Sequence, residues 1–186
     1  MKCQNKKWEK DGFVLREFQK EDAEEYYRQN FNPLDKELIY YTGSKENFTR
    51  EEVVGFFLNC IKAEDRYDFL IISPDGRIVG ESVINEIDWK NRNANFRIGI
   101  FHEEERGKGI GSWVIAKTRD FAFEELKLHR LGLEVFSYNV RARRAYETAG
   151  FVKEGVLREA VLDREGYADI IIMSILEDDW RAWKIG

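Results

Sequence analysis

The passage Phe101-His102-Glu103-Glu104-Glu105-Arg106-Gly107-Lys108-Gly109-Ile110-Gly111 constrains this chain more than any other. An apolar, strand-like run from Phe96 to Phe101 leads into it, and a helical pattern from Ser112 to Leu126 leads out. Between them, glycines alternate at 107, 109 and 111 beside Arg106 and Lys108, with no proline. Glycine allows a tight turn and close approach of the backbone to a ligand. The first turn of the helix that follows presents unpaired N–H groups and the positive end of its dipole. Strand, glycine loop and helix in this order make a cradle for a phosphate group.

Spacing decides between the phosphate loops. A Walker loop is G-x-x-x-x-G-K-[ST], and no lysine–hydroxyl pair follows Gly111. A dinucleotide fingerprint is G-x-G-x-x-G after the first strand of a βαβ unit, whereas here the order is G-x-G-x-G and the loop lies past mid-chain. What remains is R-x-x-G-x-G, Arg106 to Gly111. A second constellation follows it: Asn139-x-x-Ala142-x-x-x-Tyr146-x-x-x-Gly150-Phe151. Asn139, Ala142 and Tyr146 fall at helical spacings and share one face.

These two blocks, in this order, resemble the pyrophosphate loop and the following block of the GNAT acyl-CoA-dependent N-acetyltransferases, and the resemblance extends from about Phe13 to Trp180. It implies an α/β (α+β) fold: a mixed, mostly antiparallel, seven-stranded sheet flanked by helices, in which parallel strands at 94–101 and 130–136 splay apart. The pantetheine arm of acetyl-CoA enters that wedge and bonds backbone near Phe101, His102 and Glu103. The pyrophosphate rests on the amides of Arg106, Gly107, Lys108, Gly109, Ile110 and Gly111. Asn139, Ala142 and Tyr146 border the pantetheine, and Lys108 or Arg141, Arg143 and Arg144 reach the 3′-phosphate. The implied reaction is transfer of acetyl to a primary amine by direct attack. The acceptor class stays open between a polyamine or other small amine and a protein N-terminal amine, with a possible homodimer as the assembly.

The chemistry asks for an amine that has lost its proton, a donor to the thioester oxygen, and a donor for the leaving thiolate. Tyr146 is assigned the last role, and a backbone amide near Phe101 the oxyanion. Glu86, on the strand preceding the splayed pair, is assigned to the ammonium group and its proton, with Glu81 as the alternative. His102 stands where the chain turns into the loop and His129 before a buried strand; neither is assigned to catalysis. The carboxylates of Asp35, Glu37, Glu46 and Glu159 tilt the acceptor towards a polyamine. A non-catalytic acyl-CoA sensor is the competing reading, which Tyr146 disfavours.

The rest of the chain is consistent with one domain over residues 1–186. Mean hydropathy is −0.56, and no window approaches a membrane span. The net charge of −5 argues against nucleic acid as a partner. Cys3 and Cys60 make no metal or redox spacing, so a metal site is not expected and a reducing cytoplasm is. Strands are expected at Phe13–Phe18, Asp68–Ser73, Arg77–Trp89 and in a closing hairpin, Phe151–Leu162 with Tyr167–Leu176. Helices are expected at Ala23–Arg28, after the capping box at Thr49, and between Asn139 and Gly150. Leu38 to Gly43 reads as an aromatic connector.

Overall fold

The computed structural model describes residues 6–163 and 166–185; Cys3, Arg164 and Glu165 lie outside the described residues. Runs rich in β-branched and aromatic side chains form eight strands: β1 (Lys7–Lys10), β2 (Phe13–Glu17), β3 (Tyr67–Ile72), β4 (Ile78–Asp88), β5 (Asn93–Ile100), β6 (Arg130–Phe136), β7 (Val152–Asp163) and β8 (Gly166–Leu176). They make one sheet in the order β1-β2-β3-β4-β5-β6-β8-β7. Neighbours run antiparallel except β5 and β6, which are joined by a helical crossover and run parallel.

The helices are α1 (Ala23–Asn30), α2 (Lys36–Thr42), α3 (Arg50–Lys62), α4 (Ile110–Glu124), α5 (Val140–Thr148) and α6 (Glu177–Ile185). On one face of the sheet, Val114, Ile115 and Phe121 of α4 bury against Phe96, Leu131 and Met173. On the other, Tyr26 of α1 and Phe57 of α3 enclose Leu70 and Phe101, with Phe18 stacked on Phe57 at 4.0 Å. Cys60 is a buried member of this second core, and burial pushes its thiol up to about 12, which leaves it unreactive. No helix among the described residues is long and apolar enough to cross a membrane.

Three elements depart from expectation. The sheet has eight strands rather than seven, because the lysine-rich segment Lys7–Lys10 pairs with β2 as an edge strand and lays Trp8 edge-on against Phe69 at 5.4 Å. Leu38 to Gly43 belongs to a helix, α2: Asp35 caps it by accepting the Leu38 N–H at 2.7 Å, and Gly43 ends it in the left-handed region at φ 66°. The carboxy-terminal residues form α6, whose Trp180 is buried, stacks on Phe123 at 5.3 Å and donates its indole N–H to Asp120 at 2.9 Å. Trp180 therefore covers the core.

One departure from regularity positions everything that follows. β5 and β6 pair only at Asn93–Arg130, Ala94–Leu131 and Asn95–Gly132. Beyond these, β5 stays on β4 as far as Ile100 opposite Gly80, while β6 follows β8 as far as Phe136 opposite Ile170. Each strand is held on its outer side by a longer antiparallel ladder, so the two part and a wedge opens between them.

Candidate active site

The wedge leads into a cavity of about 730 Å³, bounded by β5, β6, the glycine loop, α5 and α2. That size suits a ligand of several tens of atoms. Phe101 donates its N–H to the Val79 carbonyl at 2.8 Å, on the β4 side. Backbone groups alternate along a strand, so those of Ile98 and Ile100 face the wedge instead, where β6 has moved away. The wedge is thus an open sheet edge inside the molecule, ready for an extended amide-bearing chain.

At its mouth the chain folds into a nest. Gly107 and Gly109 hold left-handed φ angles of 78° and 80°, where a side chain would be strained. The amides of residues 107–112 donate to no described acceptor, while Trp113 begins the helical bonding by donating to Gly109 at 3.3 Å. A Cβ built on Gly107, Gly109 or Gly111 meets nothing within 4 Å, so the space above these amides is clear. Free amides, clear space and the α4 dipole fit a pyrophosphate. Arg141 and Arg144, on α5, also line the cavity, as cations for a further phosphate.

Tyr146 enters from α5, whose first turn is capped by Asn139 accepting the Ala142 N–H at 3.2 Å. The tyrosine ring lies edge-on to Phe96 at 6.2 Å and the side chain is buried, yet its hydroxyl makes no hydrogen bond with a described residue. A buried hydroxyl without a protein partner on a cavity wall points to a ligand partner. Burial pushes the phenol up to about 12, so at neutral pH Tyr146 holds its proton and can only donate it.

α2 roofs the wedge and is tied to both sides of it. On the β5 side, the buried guanidinium of Arg106 donates to Glu37 at 2.6 Å, to Asp35 at 2.9 Å and to the Ile100 carbonyl at 3.0 Å. On the β6 side, Tyr138 stacks on Tyr40 at 4.6 Å, donates to the Tyr40 carbonyl at 3.0 Å, and neighbours Phe136, against which Gly43 packs. Burial raises the Asp35 carboxyl, but the Arg106 and Leu38 hydrogen bonds and the Arg106 charge outweigh it and hold the group below its ordinary value. Stability from a depressed carboxyl is present above its unfolded pKa, so this tie weakens as pH falls below about 4. Arg106→Gln is expected to cost about 2–3 kcal/mol, seen as a lower urea midpoint at unchanged slope. An unmoved midpoint would show that the roof does not depend on this tie.

The structure gathers most of the expected residues and leaves some out. Phe101, Arg106, Gly107, Gly109, Ile110, Gly111, Asn139, Ala142 and Tyr146 line one cavity. Arg106 does so differently from expectation: its amide is spent on the Glu103 carbonyl at 3.0 Å and its side chain on α2, so the nest starts at Gly107. His102 and Glu103 lie off the wall; His102 is bonded to the buried Asn30 at 3.0 Å. Lys108 also turns away, to Glu105 at 3.1 Å. Arg143 pairs with Glu147 at 3.6 Å.

Glu86 is a correction. It sits at a bulge in β4 with φ 55°, exposed and off the cavity wall, because the extra residue between Asn85 and Asp88 re-aims it. The carboxylate of β4 that lines the cavity is Glu81, which accepts the Tyr26 hydroxyl at 2.6 Å. Burial first, and the Glu81 charge second, hold the Tyr26 phenol well above its ordinary value, so it remains a donor to Oε2 and leaves Oε1 of Glu81, the oxygen that Arg97 faces at 3.7 Å, without a hydrogen bond. Arg97, missed in the sequence, lines the cavity beside Glu81 at 3.7 Å. Of the carboxylates counted towards a polyamine, Asp35 and Glu37 are committed to Arg106, and Glu46 and Glu159 lie off the wall. Among the described residues no group of three or more His, Cys, Asp or Glu could hold a metal ion.

Comparison with known proteins agrees with this geometry. A family profile described as an acetyltransferase (GNAT) domain matches residues 13–152. A spermidine N(1)-acetyltransferase of Escherichia coli is 30% identical over 81% of this chain and 87% of its own length. A putative ribosomal N-acetyltransferase of Bacillus subtilis is 29% identical over 92% of this chain and 94% of its own. Among solved structures, the spermidine N-acetyltransferase of Vibrio cholerae in complex with CoA and spermine superposes with a TM-score of 0.81 at 26% identity, covering 92% of this chain and 99% of that one.

Proposed function

The chain belongs to the GNAT acetyltransferase family and transfers acetyl from acetyl-CoA to an amine, and on that premise we propose that Glu81 and Tyr146 are its acid–base pair, working on a small primary amine. The observation that carries this reading is the pairing of opposite functions in one cavity: a carboxylate oxygen on β4 that accepts no hydrogen bond and, on α5, an unbonded phenol that is protonated at neutral pH.

Acetyl-CoA supplies the activated acyl carbon and a thiolate leaving group. The residues of this chain do the rest. The nest from Gly107 to Ser112 holds the pyrophosphate, and Ile98 offers its backbone to the pantetheine amides. The wedge-facing N–H groups of Ile98 and Ile100 are the donors nearest the acyl oxygen, in place of the Phe101 amide, which is spent on Val79. Glu81 receives the proton that an alkylammonium of pKa near 10.4 must lose before its nitrogen can attack. Tyr146 aims its proton at the departing sulfur. A thiolate seated beside it is desolvated by the same walls, which raises its own affinity for that proton.

Roofing by α2 supports a small acceptor over a folded protein surface. The same reading includes one acetyltransferase domain over residues 1–186 and the cytoplasm as its location, supported by cysteines that show no disulfide or metal spacing. A homodimer also belongs to it, supported by the exposed apolar side chains of Leu157, Leu162 and Tyr167 on the β7–β8 hairpin.

Glu81→Gln should lower kcat/KM at pH 7 about 100-fold, with partial recovery towards pH 9 as more amine is deprotonated in solution. Glu86→Gln, outside the cavity, should change neither. The measurement is thiol release from acetyl-CoA against pH with a small-amine panel. Equal loss in both variants, or loss in Glu86→Gln alone, would return the role to Glu86.

A further inference from the structure

The charges around the acceptor end are arranged in an unexpected way. Asp35 and Glu37 share the one guanidinium of Arg106 at 2.9 and 2.6 Å, and neither lines the cavity. Glu105, buried, is held by Arg77 at 3.2 Å and Lys108 at 3.1 Å. Glu81 has Tyr26 on one oxygen and faces Arg97 at 3.7 Å. A polycation needs several carboxylates free of resident cations, and this wall offers chiefly Glu134, with Arg97 standing among them. Buried or half-buried like charges disfavour such a guest.

Arg97 is the unusual member. It lies on β5 opposite Val83, two residues from Gly99, which pairs with Glu81, so its side chain and that of Glu81 rise from the same face of the sheet. At 3.7 Å the two are within Coulomb reach but beyond a hydrogen bond. The guanidinium makes no hydrogen bond with any described residue, although it carries five donors in a rigid fork suited to a carboxylate or phosphate. It is half exposed, so it can turn towards a guest. A carboxylate beside a half-exposed guanidinium that donates to no described residue forms a receptor for both charges of a zwitterion.

Resting on the reading that Glu81 receives the acceptor amine, we infer that Arg97 determines acceptor specificity by binding an anionic group a few bonds from that amine. The substrate class is then an amine bearing a carboxylate or phosphate, such as an amino acid or a phosphorylated amino alcohol. The ammonium group lies at the open oxygen of Glu81 and the anion in the fork of Arg97. Attack on the acyl carbon forms the N–C bond and breaks the C–S bond. Glu81 takes one proton from the ammonium before attack, the sulfur takes the proton of Tyr146, and the second proton released by the acylated nitrogen restores the phenol, leaving an N-acetylated anion, CoA thiol and one proton that Glu81 passes to solvent.

The test uses matched acceptors: β-alanine against propylamine, phosphoethanolamine against ethanolamine, and spermidine as the polycation. The wild-type chain should favour the anionic member of at least one pair in kcat/KM by about 10- to 100-fold, the worth of one charge-assisted hydrogen bond. The pair that responds identifies carboxylate or phosphate. Arg97→Gln should erase the preference by raising the KM of the anionic acceptor with little change in kcat. Arg97→Glu should invert it and improve spermidine. Neutral acceptors turned over as efficiently as their anionic partners in both pairs, or spermidine as efficiently as the better anionic acceptor, would overturn the inference while leaving the acid–base reading intact. A preference that survives Arg97→Gln would do the same. Turnover of no amine at all, with acetyl-CoA bound, would sink both.

Discussion

Gly109→Glu is expected to abolish acetyl-CoA binding while leaving the chain folded. Gly109 sits at φ 80° at the mouth of the nest, and a Cβ placed there meets no protein atom within 4 Å. The cost to the fold is therefore conformational only, about 1–2 kcal/mol for a left-handed residue. The cost to binding is larger, because a carboxylate would occupy the space above the free amides and repel the pyrophosphate those amides are arranged to hold. A loss of about 1000-fold in affinity, roughly 4 kcal/mol, is the expected scale. Titration calorimetry with acetyl-CoA measures it, and thermal melting without ligand confirms the fold. Gly109→Ala carries the strain without the charge and should lose far less. Unchanged affinity in Gly109→Glu would remove the loop from the cofactor site.

Tyr146→Phe is expected to lower kcat about 100- to 1000-fold with acetyl-CoA affinity changed less than about threefold, the range for loss of one acid in proton transfer. The ring keeps its contacts with Phe96 and Phe151, at 6.2 and 5.9 Å, so the fold and the cavity wall are preserved. The substitution removes one hydroxyl that has no described protein partner, so it should not destabilise the chain. A pH profile separates the roles further. Because burial pushes the phenol up to about 12, the tyrosine is protonated throughout the working range. Wild-type activity should therefore show no falling limb from Tyr146 below about pH 11. An equal turnover in the variant, or a falling limb near pH 10, would take Tyr146 out of the proton transfer.

The phosphate cradle was legible in the chain because its signal is local. Gly107, Gly109 and Gly111 relax the backbone, and the first turn of α4 aims unpaired amides whatever surrounds it. The Asn139–Gly150 helix was legible for the same reason, with a cap at each end and Tyr146 at a fixed angular position between them. The overlooked α2 also carried its caps, Asp35 and Gly43. The β-branched and aromatic run Ile39-Tyr40-Tyr41-Thr42 between them has poor helix propensity, and tertiary contacts to Tyr138 and Arg106 settle the outcome. Glu86 falls off the cavity wall because alternation along β4 holds only while the strand is regular. The bulge at Asn85–Asp88 breaks that phase, and nothing in the local residue types announces it.

What the sequence determined by itself is the set of local devices: turns, caps, the glycine nest and the phase of each regular strand. These depend on the conformational freedom of a few residues and survive any neighbourhood. What only the tertiary structure decided is which charges meet. Arg106 lies 71 residues from Asp35 and 69 from Glu37, and Tyr26 lies 55 from Glu81. Whether a carboxylate is spent on such a partner or left for substrate is a Coulomb and solvation question, fixed by distances of a few ångströms between remote segments. A count of acidic residues along the chain pointed to a polycation. The folded arrangement commits Asp35 and Glu37 to Arg106, leaves Glu46 and Glu159 off the cavity wall, and places Arg97 beside Glu81, because β4 and β5 are neighbours in the sheet.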